Sequence, residues 1–123
     1  MTRVTPRVMR VQMPAEGSAA ARAAGFLGED VRVVSAFHNV AAHKLIQDID
    51  VGCDVLVFGD DKAARGEVIG LVRDCGLRGI HAGALVNSAA AEAMTSILIF
   101  LNKTYKVDGA GIQITGTLIE PEA

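Results

Sequence analysis

The stretch Cys53-Asp-Val-Leu-Val-Phe58, with Gly59-Asp-Asp61 and the run from Lys62 to Asp74 behind it, decides how this chain folds. Residues 55–58 are continuously apolar rather than alternating, the pattern of a strand buried on both faces of a parallel sheet. Gly59-Asp60-Asp61 turns the chain, and either aspartate is placed to cap the helix that follows. In that helix Ala64, Val68, Leu71, Val72 and Cys75 share one face at helical spacing, and Gly76 stops it. A short strand over residues 79–82 completes a strand–helix–strand unit, whose strands are expected to be parallel with a right-handed crossover.

Upstream, Val31-Arg-Val-Val-Ser-Ala-Phe37 reads as a further strand. Before it lies an Ala-rich helix with Ser18 as N-cap and Gly28 beyond its end. Residues 1–14 are irregular: Val4, Val8, Val11 and Met13 could form a strand, but Pro6 and Pro14 interrupt them. A short segment at 41–46 separates the first strand from the second. Downstream, Asn87 or Ser88 opens the longest helix, 89–105, and Asp108-Gly-Ala-Gly111 turns into a last strand at 112–118. The expected fold class is α/β, one domain over 1–123: an N-terminal segment, a parallel sheet with helices over 15–85, and a C-terminal helix and strand over 86–123.

A chain of 123 residues that is 50% hydrophobic can bury a core and is not disordered. Its net charge of -2, without a basic stripe or aromatic platform, speaks against nucleic acid. Arg3, Arg7 and Arg10 cluster with no acid until Glu16, fitting either an anion contact or a solvated terminus. Cys53 and Cys75 make no metal or redox pattern and are expected to be reduced core residues. The longest apolar stretch, 93–101, has nine residues, and a membrane span needs about 20. A cytoplasmic protein without membrane contact is expected.

Ligands in open parallel sheets bind beyond the carboxyl ends of strands, which points to the loops at 35–39 and 59–61. His38 is the best single candidate, as a hydrogen-bond donor to a ligand carbonyl or anion; closing a strand-end turn is the alternative. Asp60 and Asp61 lack a third ligand for Mg²⁺ and suit a turn and cap better. His43 and His81 have no partner at ligand spacing, so no metal site is expected. Gly66 and Gly70 would let the middle helix pack closely on the sheet. The sequence carries no nucleophile elbow, and its one G-x-G, Gly109-Ala-Gly111, follows a helix instead of opening one.

Several stretches taken together resemble the NADPH-dependent coenzyme F420 reductases. They are Val33-Val-Ser-Ala-Phe-His-Asn-Val40, Asp54-Val-Leu-Val-Phe-Gly-Asp-Asp61, His81-Ala-Gly-Ala-Leu85, Glu92-Ala-Met-Thr95, Leu98-Ile-Phe-Leu-Asn102 and Gly111-Ile-Gln-Ile114. They run in family order over 14–116. The resemblance implies a partial Rossmann-like fold and hydride transfer between the deazaflavin C5 and the nicotinamide C4, with the two rings stacked at about 3–3.5 Å. It implies coenzyme F420 and NADP as cofactors, His38 and Thr95 as residues contacting the deazaflavin, and a homodimer using Ile97, Leu98 and Leu101 of the long helix. Ala89 and Ala93 stand where some members carry Arg and Ser, which removes a charged donor to an anionic ligand.

The resemblance also implies a phosphate-binding front portion ahead of these stretches, which the 123 residues do not include. The expectation is therefore a C-terminal portion of such an enzyme, inactive by itself with an incomplete NADP site. The alternatives are a non-catalytic module binding the deazaflavin or another small ligand, and a dimerising interaction remnant.

Overall fold

The computed structural model describes residues 9–41 and 52–121. Along the chain these form α1 (Ala19–Leu27), β1 (Val34–Ser35), β2 (Asp54–Gly59), α2 (Lys62–Asp74), β3 (Arg78–His81), a 3-10 turn (Leu85–Asn87) and α3 (Ser88–Tyr105). The sheet order is β1-β2-β3. β2 and β3 are parallel, with Val55 opposite Gly79 and Val57 opposite His81. This is the expected strand–helix–strand unit in an α/β fold.

Its core joins Cys53, Val55 and Val57 to Ile69 and Val72 of α2 and to Leu77. Val55, Val57 and Val72 are fully buried, each worth roughly 1.5–3 kcal/mol of transfer free energy. Asp61 is the cap of α2, its Oδ2 accepting from the Ala64 N–H at 3.1 Å. Ser18 caps α1 in the same way, accepting from Ala21 N at 2.9 Å.

Several expectations change on contact with the structure. The apolar run 31–37 pairs only at Val34–Ser35, and does so antiparallel to β2, so the sheet is mixed. The run breaks because Val31 N is drawn back to Gly28 O and Phe37 takes a positive φ of 67°. On α2 the inward residue is Ile69, while Leu71 and Cys75 are exposed; Cys75 is a free surface thiol and only Cys53 is buried. Gly66 and Gly70 have open space where a Cβ would stand. The glycine that admits α2 is Gly79 on β3, whose Cβ would meet Ile69 and Val72 at 3.3 Å.

The expected strand at 112–118 forms no ladder. Ile112 O accepts one backbone bond, from Asp54 N at 2.7 Å, and then side chains take over. The Asp54 carboxylate accepts from Ile114 N at 2.7 Å and from Arg78 Nε and NH2 at 2.8 and 2.6 Å. Arg78 NH2 also donates to Ile114 O at 2.8 Å. Two side chains thus satisfy the backbone groups a neighbouring strand would otherwise pair. Just before this crossing the chain passes so close over Cys53 that a Cβ on Gly111 would lie 2.7 Å from Cys53 Cβ.

The helical run Leu85–Tyr105 is long and apolar enough to cross a membrane by length and composition alone. Here Ser88, Ala91 and Leu98 of α3 are buried against the rest of the chain. Leu98 therefore does not belong to an exposed patch; Ile97, Phe100 and Tyr105 are exposed instead. The possible strand over 4–13 extends outside the described residues, and described positions 9–18 contain none. His43 and most of the 41–46 segment also lie outside them.

Candidate functional site

β1, the turn after it and the first half of α3 bring together the buried polar residues Ser35, Asn39 and Ser88. Asn39 is buried and its Nδ2 donates to Ala91 O at 3.0 Å, with Thr95 Oγ1 at 3.4 Å. Thr95 Oγ1 donates to His38 O at 3.1 Å. The two residues expected at a coenzyme therefore meet, through the His38 carbonyl. Both line a cavity of about 90 Å³ with Asn39, Leu98 and Asn102.

The His38 ring stands edge-on to Phe58, with centroids 6.1 Å apart. Its Nε2 lies 3.0 Å from Ser35 Oγ and 3.4 Å from Ser88 Oγ, and the two hydroxyls are 2.5 Å apart. Ser88 Oγ donates to Glu92 Oε2 at 2.9 Å. The same carboxylate reaches the start of α1, accepting from Ala19 N at 2.6 Å and Ala20 N at 3.3 Å. One acid therefore closes a hydrogen-bond chain from His38 and caps a helix 73 residues away in sequence.

Burial lowers the His38 pKa below its ordinary value, against the raising influence of Glu92. Burial alone would raise Glu92, but the Ala19 N–H, the Ser88 hydroxyl, the Ala20 N–H and the imidazole together hold it below the usual carboxylate value. The arrangement is not a nucleophile triad. The carboxylate binds the hydroxyl and not the far imidazole nitrogen, and Ser88 is completely buried. Ser35, Asn39, Ser88 and Glu92 were not singled out as site residues from the sequence. The one local signal was the four-residue spacing of Ser88 and Glu92, which stacks them on one helix face.

Asp60 and Asp61 serve as turn and cap: Asp60 Oδ1 accepts from Leu85 N at 3.0 Å, and Asp61 also faces exposed Arg32 at 3.3 Å. His81 Nδ1 accepts from Arg65 Nε at 3.3 Å. Ala89 and Ala93 lie one turn apart on α3, both half-buried.

A dinucleotide pyrophosphate needs free N–H groups at a helix start. Here α1 receives Glu92, α2 receives Asp61, and the turn leading into α3 receives Asp60. Carboxylates engage N–H groups at the starts of α1 and α2 and in the turn before α3, and none of these places carries the G-x-G-x-x-G spacing of a pyrophosphate cradle, so the described residues do not fit NADP. For the deazaflavin, the cavity beside His38 and Thr95 is far below the roughly 300–1,000 Å³ of a small-molecule site. Its residues fit contact with one polar edge of a ring, not enclosure of the whole.

No family model matches the chain. It is 42% identical over 117 residues to the F420-dependent NADP reductase of Methanocaldococcus jannaschii, covering 93% of this chain and 52% of that protein. This chain is similar to about half of an F420-dependent NADP reductase. The reductase of that name from Methanothermobacter thermautotrophicus is 43% identical over 103 residues, 81% of this chain and 44% of its own length. The chain thus spans about half the length of the reductases it matches. In fold it is similar to a crystal structure from an Arthrobacter species, provisionally described as an F420-dependent NADP-reductase. The TM-score is 0.64 at 22% identity, over 70% of this chain and 40% of the other.

Proposed function

We propose that this chain supplies the deazaflavin-facing part of an enzyme that passes a hydride between reduced coenzyme F420 and NADP. The observation that carries the proposal is the 42% identity with a reductase of that name over 93% of the chain. When bound, the coenzyme supplies the hydride. The chain's own work is to hold and orient one edge of the ring with the His38 imidazole and the Thr95 hydroxyl, while Phe58 braces the imidazole edge-on. NADP binds elsewhere in such an enzyme, since no described helix start carries the G-x-G-x-x-G spacing of a pyrophosphate cradle. Cys53 and Cys75 form no disulfide, which suits a reducing, cytoplasmic setting for this reading.

The test is calorimetric titration of the cooperatively folded chain with oxidised F420 and, separately, with NADP. Saturable F420 binding that weakens several-fold in His38→Ala, without NADP binding, is the expected result. Absence of F420 binding overturns the coenzyme wall. NADP reduction by these 123 residues at an ordinary enzyme rate, about 10 s⁻¹, overturns the assignment of the NADP site to other residues.

A second part of the reading is self-association through α3, supported by exposed Ile97 and Phe100. Sedimentation that stays monomeric at high concentration would remove it.

A further inference from the structure

The buried network around His38 has only one consistent arrangement of its protons. An ionised carboxylate only accepts, so the Ser88 hydroxyl donates to Glu92 Oε2. A hydroxyl carries one hydrogen, so Ser88 Oγ accepts in its 2.5 Å contact with Ser35 Oγ, and Ser35 donates there. Ser35 then has no hydrogen left for its 3.0 Å contact with His38 Nε2 and accepts from it. The 3.4 Å approach of Ser88 Oγ to the same nitrogen obeys the same direction. Ser88 is wholly buried and Ser35 nearly so. The α1 amides that bind Glu92 keep the end of the chain an acceptor.

From this geometry we infer that Glu92, Ser88 and Ser35 form a relay that holds neutral His38 in its Nε2–H tautomer, leaving Nδ1 to select a hydrogen-bond donor on the coenzyme. Nδ1 has no hydrogen-bond partner among the described residues. The sequence suggested the reverse, a histidine donating to a carbonyl or an anion. Here the donor nitrogen is committed inward, and the ligand group that matches the other nitrogen is an N–H or O–H. Glu92 acts only through the two serines and is a positioning residue. The tautomer stands on the network alone; the donor selection rests on the proposed coenzyme site.

The experiment is long-range ¹H–¹⁵N correlation of the histidine rings in the ¹⁵N-labelled chain, above the ordinary imidazole pKa, with His38→Gln to assign the signals. A protonated Nε2 and an unprotonated Nδ1 are expected. A protonated Nδ1, or the averaged shifts of a free histidine, overturns the relay.

Ser88→Ala breaks the relay but leaves the Glu92 contact with α1, so it separates proton direction from helix capping. It frees the Ser35 hydrogen, and the Nε2–H preference should fall toward a mixture; an unchanged tautomer overturns the role of Glu92. Titration with a deazaflavin alkylated at its ring N–H then tests selection. Binding about tenfold weaker than the parent ring supports it, and equal binding overturns it. An Nε2–H tautomer in a chain that binds neither ring leaves the relay standing and removes the proposed function.

Discussion

Replacing Asp54 by alanine should unfasten the 112–114 segment from the sheet. The Asp54 side chain is 5% exposed and accepts three hydrogen bonds, from Ile114 N, Arg78 Nε and Arg78 NH2. Arg78 is nearly half exposed, so water replaces the carboxylate around it and its loss adds little. The larger cost is the charge-assisted bond to the Ile114 amide, about 1.5–3 kcal/mol. For a chain of this size that corresponds to a fall in Tm on the order of 10 °C.

Thermal melts followed by circular dichroism measure the loss, and hydrogen exchange at the Ile114 amide locates it. The acid limb gives an independent check. The bonds from Arg78 lower the Asp54 pKa; burial opposes them, and the Ile114 amide and the Arg78 charge reinforce them. A depressed carboxyl pKa stabilises the fold above its unfolded value near 3.9, and that stability disappears as pH falls through the lower folded value. Wild type and Asp54→Asn should therefore converge in strong acid. A Tm for Asp54→Ala close to that of wild type, with Ile114 exchange unchanged, would show that the carboxylate does not fasten this segment.

Three further outcomes are expected. Asp61→Ala should cost about 1 kcal/mol in a denaturant melt, since it removes the Ala64 cap bond. A thiol reagent should label Cys75 rapidly in the folded chain and Cys53 only on unfolding, because Cys75 is exposed and Cys53 buried. Burial depresses His38, with Glu92 opposing, so its neutral form stabilises the fold above the unfolded value. That contribution should be lost as pH falls from about 6.5 through the lower folded pKa. His38→Gln should flatten this part of the stability–pH curve, and an unchanged slope in urea titrations would count against it.

The strand–helix–strand unit was legible because its signals are local. Residues 55–58 are an uninterrupted apolar run, Asp61 begins α2 and Gly76 stops it, with a φ of 79°. Strand direction was not legible, since an apolar run does not encode which way its neighbour points; β1 pairs antiparallel over two residues. The 112–118 segment has strand composition, but Asp54 and Arg78, far away in sequence, satisfy its backbone. Leu71 and Ile69 lie two positions apart, and periodicity alone chose the wrong one. His38 came from its place after a strand and Thr95 from resemblance, and the structure joins them through one hydrogen bond. Glu92 and Ser35 were not chosen as site residues because most of their partners come from other elements.

The close pass of Gly111 over Cys53 makes the two positions exchangeable only as a pair. An alanine at 111 would put its methyl carbon 2.7 Å from the first side-chain carbon of Cys53, a contact that no rotamer change relieves. A drifting lineage therefore meets a barrier at either single step toward bulk. The barrier falls if position 53 first becomes glycine. Among relatives of this chain, substitutions at 111 should be contingent on the residue at 53, with the order of events legible in the branching.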